Sequence, residues 1–119
     1  LRCNTIKRDS STELAQGAFY GCALSEVTLP EGLVAIGNNA FHGCENLTEV
    51  TFPASVASIG TQAFTGCPEL QEITFLNPGT WTMDNPFTNC PKLFTVNGYS
   101  GSTAETFAAR YNYLFKPLE

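Results

Sequence analysis

The chain has 119 residues, of which 43% are apolar and 14% charged, so it is the size of one domain, can bury a core and is not a disordered segment. Its net charge is −5, and the six basic residues (Arg2, Lys7, Arg8, Lys92, Arg110 and Lys116) form no long run, which argues against binding to a nucleic-acid backbone. No apolar stretch approaches the roughly 18 residues of a membrane span.

In chain order, residues 1–17 come first and carry only fragments of the repeat found in residues 18–97. Leu14 and Ala15 fall where Ile36 and Gly37 stand one unit later, and Ile6 falls near Leu29 if one residue is inserted. They read as a degenerate half-unit without an obvious cap. The chain opens on Leu1 with no signal peptide, as a processed chain or an excised fragment would. Either these residues improvise a cap or the array was cut from a longer one. The second is favoured, because an open end exposes an edge prone to self-association.

Residues 18–97 repeat. Phe19, Phe41, Phe64 and Phe87 stand 22, 23 and 23 residues apart, and Cys22, Cys44, Cys67 and Cys90 keep the same spacings. Leu24, Leu47, Leu70 and Leu93 share one register with Val27, Val50, Ile73 and Val96. The unit reads A-F-x-G-C-x-x-L-x-x-V-x-L/F-P-x-x-V-x-x-I-G-x-x. A period in the twenties means a solenoid, in which no unit buries its apolar side chains alone and stacked units build one core. Within L-x-x-V-x-F the alternation predicts a half-buried strand. One strand per coil gives a parallel sheet, and Pro30 and Pro53 end its ladder. The stretch from Val56 through Ile59 to Phe64 is apolar-periodic too, with Gly60 and Gly66 expected to permit tight turns.

The third unit departs from the pattern with "LNPGTWTMDNPFTNC", where Leu76 replaces the proline and Thr82-Met83 replaces Ile-Gly. Two readings are open. Trp81 or Met83 plugs the core by a local shift, as buried Trp commonly does, or Trp81 stands out as a ligand anchor.

Residues 98–119 fit a C-terminal cap. Ser102 to Glu105 reads S-x-x-E, a capping box that satisfies orphan amide donors. Ala104, Phe107, Ala108 and Tyr111 then form one apolar helical face. Asn112 is the expected stop, and Tyr113-Leu114-Phe115 a short closing strand.

These residues resemble a known family. "LTEVTFPASVASIGTQAFTGC", at residues 47–67, is similar to the BspA-type leucine-rich repeat, a 23-residue class of secreted and surface proteins. The resemblance runs over roughly residues 14–115 and is strongest from Ala18 to Cys67. The segment "GSTAETFA", from Gly101, resembles the closing element of such arrays, with Phe107 in the usual tyrosine place. The fold expected is therefore an α/β repeat: a short leucine-rich-repeat solenoid with one parallel sheet and a C-terminal helical cap.

Chemistry is sparse. An enzyme needs a convergent nucleophile, base and orienter, and the single histidine, His42, shares its slot with Tyr20, Thr65 and Thr88, which reads as a surface or semi-exposed position. No cysteine pair has C-x-x-C spacing, so no metal site is indicated, and no cofactor is expected. Cys22, Cys44, Cys67 and Cys90 should stack as a column of buried reduced thiols, because stacked side chains point in parallel rather than at each other. Cys3 falls outside that column.

What remains is the exposed sheet. One outward column holds Glu26, Glu49, Glu72 and Thr95, a second holds Thr28, Thr51, Thr74 and Asn97, and the column before them holds Ser25, Thr48, Gln71 and Phe94. The candidate binding residues are Glu26, Thr28, Glu49, Thr51, Glu72, Thr74 and Phe94, with Trp81 as an anchor. Glutamates ~5 Å apart repel by roughly 0.8 kcal/mol even at the dielectric of water. So small a cost is tolerated on a solvated face, and it is also what an acidic recognition stripe would show. The face, at ~300 Å² from strand spacing, is small beside the roughly 800 Å² per partner of a stable interface, so one copy should bind weakly. The resemblance implies a non-enzymatic protein-binding or adhesion module of a secreted or cell-surface protein, with host matrix or other cell-surface proteins as partners. The alternative is a structural spacer or assembly scaffold with no ligand of its own.

Overall fold

The computed structural model describes residues 13–82, 84–91 and 94–118. The positions of Cys3, Ile6, Met83 and Leu93 lie outside these residues. The chain winds as a solenoid of about four coils carrying two parallel ladders. The main sheet is β2 (Glu26–Thr28), β4 (Glu49–Phe52), β6 (Glu72–Phe75), β8 (Thr95–Gly98) and β9 (Leu114–Pro117), in that order. The expected sheet, helical cap and closing strand are all present. A second, thinner ladder of two-residue strands is added to them: β1 (Glu13–Leu14), β3 (Ala35–Ile36), β5 (Ser58–Ile59) and β7 (Trp81–Thr82). It occupies the apolar-periodic stretch before Ala-Phe, where Ile36 and Ile59 point into the core.

Between the two sheets the A-F-x-G-C turns are hydrogen-bonded coil to coil. The Phe19 and Phe41 amides donate to Ala40 O and Ala63 O, each at 2.7 Å, and the Phe64 amide to Pro86 O at 2.9 Å. These bonds satisfy backbone groups that a buried loop would otherwise orphan. The turn requires a left-handed backbone at Gly21, Gly43 and Gly66, with φ of +68°, +72° and +76°. In the fourth coil Asn89 takes that position at φ +60°, and asparagine is among the few side-chain-bearing residues that tolerate it. Gly60 differs from this expectation of a turn residue. Its backbone is not left-handed, and it is needed because the coil below lies against it: a Cβ there would sit 2.7 Å from Asn38 N and 2.8 Å from Gly37 C.

The core is a set of stacked columns. Phe19, Phe41, Phe64 and Phe87 stack ring on ring with centroids 5.4, 4.9 and 5.3 Å apart, near-parallel throughout. Offset stacking at this distance is favourable beyond simple burial. Phe52 meets Phe64 edge-on and stacks on Phe75. The helix α1 (Thr103–Tyr111) closes the last coil with Ala104, Phe107 and Ala108 buried. Phe107 packs edge-on against Phe75 and Phe87. Ser102 caps the helix by accepting from the Ala104 amide, Glu105 reaches back to the Gly101 amide at 2.7 Å, and Asn112 ends it in the left-handed conformation.

Candidate functional site

The sheet pairing places the expected columns in register: Glu26 beside Glu49 beside Glu72, and Thr28 beside Thr51 beside Thr74. Along β4 the pattern alternates strictly, with Glu49 and Thr51 exposed and Val50 and Phe52 buried. Glu26 and Glu49 are open to solvent, whereas Glu72 is half-buried. Asn97 separates them. It is buried, and its Nδ2 donates to Glu72 Oε2 at 2.7 Å and to Thr74 Oγ1 at 3.0 Å. The fourth coil thus holds one carboxylate of the stripe in place, and the free acidic surface lies toward the first two coils. There a shallow depression of about 380 Å³ is lined by Glu26, Glu49, Thr51 and also Glu31. Glu31 is not readable from the sequence as a site residue, because its equivalents Ala54 and Asn77 form no column with it. The face also extends further than the repeats. β9 pairs with β8, so that exposed Leu114 continues the glutamate lane and Lys116 the threonine lane.

Phe94 does not belong to this face. It is buried, stacked on Tyr113 at 4.2 Å and edge-on to Phe87 at 5.4 Å. Its column is polar in the coils below, but at the last coil the cap supplies an aromatic surface and the side chain turns inward to meet it. Trp81 goes the opposite way, outward, against the plug reading. It is 58% exposed and does not plug the core; Thr80 beside it is buried, and its hydroxyl donates to Val56 O at 2.8 Å. Trp81 stands beside Ser58 in the minor sheet, at the mouth of a cleft against α1.

The cysteine column is structural with one change. Cys44, Cys67 and Cys90 are free, and each thiol donates to the carbonyl of a phenylalanine in the preceding coil, at 3.2 to 3.3 Å. Cys22 departs from the reduced ladder expected, being disulfide-bonded. Burial pushes the Cys44 thiol up. The interaction between the Cys67 and Cys90 thiols raises the first and lowers the second, with burial adding to the rise at Cys67. His42 is half-buried and stacks on the exposed Tyr20 ring at 4.8 Å, while Thr65 in the same slot is buried and paired to Thr88 through their hydroxyls at 2.8 Å. The slot is therefore a surface position only in the outer coils. Among the described residues no group of three His, Cys, Asp or Glu could hold a metal ion, and no helix is long and apolar enough to cross a membrane.

The family model for the BspA type leucine rich repeat region matches in six copies over residues 5–112. The chain belongs to the BspA-type leucine-rich repeat family. Its coils are also similar to the crystal structure of a leucine-rich repeat protein from Bacteroides ovatus ATCC 8483, with 28% identity and a TM-score of 0.69. That similarity covers 92% of this chain and 29% of the other, so this leucine-rich repeat chain spans less than a third of that protein's length. No curated protein sequence matches the chain. A repeat of this family is a protein-interaction or repeat module.

Proposed function

We propose that this array is a non-enzymatic protein-binding module of a secreted or cell-surface protein, serving adhesion, and that it binds through the main sheet. The observation that carries this reading is the stripe of Glu26 and Glu49, stacked in register, exposed, and joined by Glu31 around one depression. Carboxylates so placed repel one another and suit a basic partner surface, since complementary charge speeds encounter and fixes register. The family supports a surface setting, and the disulfide at Cys22 agrees with an oxidising compartment. A face this small gives weak single-copy binding, which several copies side by side would raise by avidity.

The test is a binding titration of immobilised, purified matrix proteins with the chain and with its Glu26→Lys/Glu49→Lys variant. The variant is expected to lose at least tenfold in affinity for a basic partner. Parent binding should weaken as salt rises from about 50 to 300 mM, because exposed charges are screened over about a Debye length. Equal binding by parent and variant to every protein tried would overturn the stripe and favour the spacer reading.

A further inference from the structure

The cleft at Trp81 lies in the other sheet and owes nothing to the glutamate stripe. It measures about 310 Å³, at the lower end of the ~300–1,000 Å³ of small-ligand sites. Phe75 and Phe107, both buried, are its deep members, and Trp81, Thr82, Thr106 and Arg110 stand around its mouth. The fold does not need a tryptophan there: the same register position carries Ala35 and Ser58 in the coils below. Trp81 has no aromatic partner among the described residues, although most other rings of the array are paired. Arg110 is likewise without a carboxylate partner among the described residues, in a chain of net charge −5. The hydroxyls of Thr82 and Thr106 make no hydrogen bond among the described residues.

These four groups define a ligand. A free indole face suits a flat patch of C–H groups, a guanidinium fork suits a carboxylate, and two free hydroxyls suit other hydroxyls. A peptide strand is the poorer fit, because the backbone edge it would pair with is partly occupied. The Thr103 amide donates to Pro78 O at 3.0 Å and its hydroxyl to Thr80 O at 2.8 Å. We propose that the cleft binds a hexuronic-acid unit, with the sugar ring against Trp81, the carboxylate on Arg110 and ring hydroxyls on Thr82 and Thr106. The unit could be a free acid or part of a glycan, and the two share this chemistry.

Trp81 is the only tryptophan of the chain, so its fluorescence reports the site directly. The full chain is titrated with sodium glucuronate, with glucose at equal ionic strength, and with a glucuronate-containing disaccharide. Glucuronate should give a saturable change within about 30 mM, as a millimolar site would, and glucose none. Tighter binding of the disaccharide points to a glycan unit and equal binding to the free acid. Arg110→Lys keeps the charge at the helix end but not the planar fork, and should weaken binding at least tenfold while leaving the melting temperature unchanged. No saturable change with either acidic probe overturns the proposal, as does an equal response to glucose. Saturation by an acidic tetrapeptide but not by glucuronate overturns the sugar class and leaves a peptide site.

Discussion

Gly60 has a backbone that any residue could adopt, yet no side chain fits there, since an alanine Cβ would press on the backbone of Gly37 and Asn38. Gly66 is the reverse case: its nearest foreign atom to a built Cβ is 3.8 Å away, but its φ of +76° disfavours a side chain. The two glycines therefore answer differently to the same substitutions. Gly66→Asn is expected to be mild, because Asn89 occupies that turn position in the fourth coil, while Gly66→Ala should cost about 1–2 kcal/mol. At Gly60 both alanine and asparagine should cost about 1–3 kcal/mol through overpacking. Urea midpoints of the four variants check this, and an order in which Gly60→Asn is the mildest would contradict it. The thiols divide in the same residue-by-residue way. Thiolate is the reactive form, and Cys90 is the half-buried thiol whose titration is lowered, by its interaction with Cys67. Cys44 and Cys67 are buried and raised. In the native chain a thiol reagent at pH 8 should label Cys90 ahead of both, which should join only on unfolding. Peptide mapping after a short pulse reads the order, and early labelling of Cys44 would refute it.

The helix shows what an element contributes and how it is legible. Ser102, Glu105, the apolar positions Ala104, Phe107, Ala108 and Tyr111, and the stop at Asn112 are all local signals, and the helix forms between those caps. Ser102→Ala removes the acceptor for the Ala104 amide and should cost about 1 kcal/mol, visible as a lower urea midpoint with unchanged slope. Ser102→Asp should keep most of the stability, since aspartate caps equally well, and no recovery in that variant would mean the serine acts otherwise. The main-sheet columns are legible for a related reason: each position is written several times, and the repeats agree. What occurs once is not. Glu31 and Thr80 stand where the other coils carry unlike residues, and the inward turn of Phe94 depends on Tyr113, nineteen residues on. The minor sheet escapes the sequence because two-residue strands leave too short an alternation to recognise. Trp81 also occurs once, so the sequence leaves plug and anchor both open; in the fold it is exposed, beside a buried Thr80 whose hydroxyl bonds Val56 O.

As a whole molecule the chain is a stack in which each coil touches chiefly its neighbours, so its stability is close to a sum of coil and interface contributions. Such a stack is only as sound as its end. The last repeat leaves Phe75, Phe87 and Phe94 needing cover, and the segment after Gly98 supplies it: Phe107 lies against the first two and Tyr113 stacks on the third. β9 also pairs the outer edge of β8, which would otherwise be an exposed template for another chain. Phe107→Ala should then cost about 3–5 kcal/mol, as loss of a buried aromatic ring typically does. That is a large share of the roughly 5–15 kcal/mol of a whole domain. A chain ending at Gly98 loses the helix, the ring stack and the edge strand together, and should show no cooperative thermal transition and elute as aggregates on size exclusion. If the shortened chain is instead monomeric and melts within a few degrees of the parent, the coils do not depend on this cap. Adding the missing segment as a separate peptide of residues 99–119 distinguishes cover from covalent effects: cover alone should restore part of the transition in a concentration-dependent way.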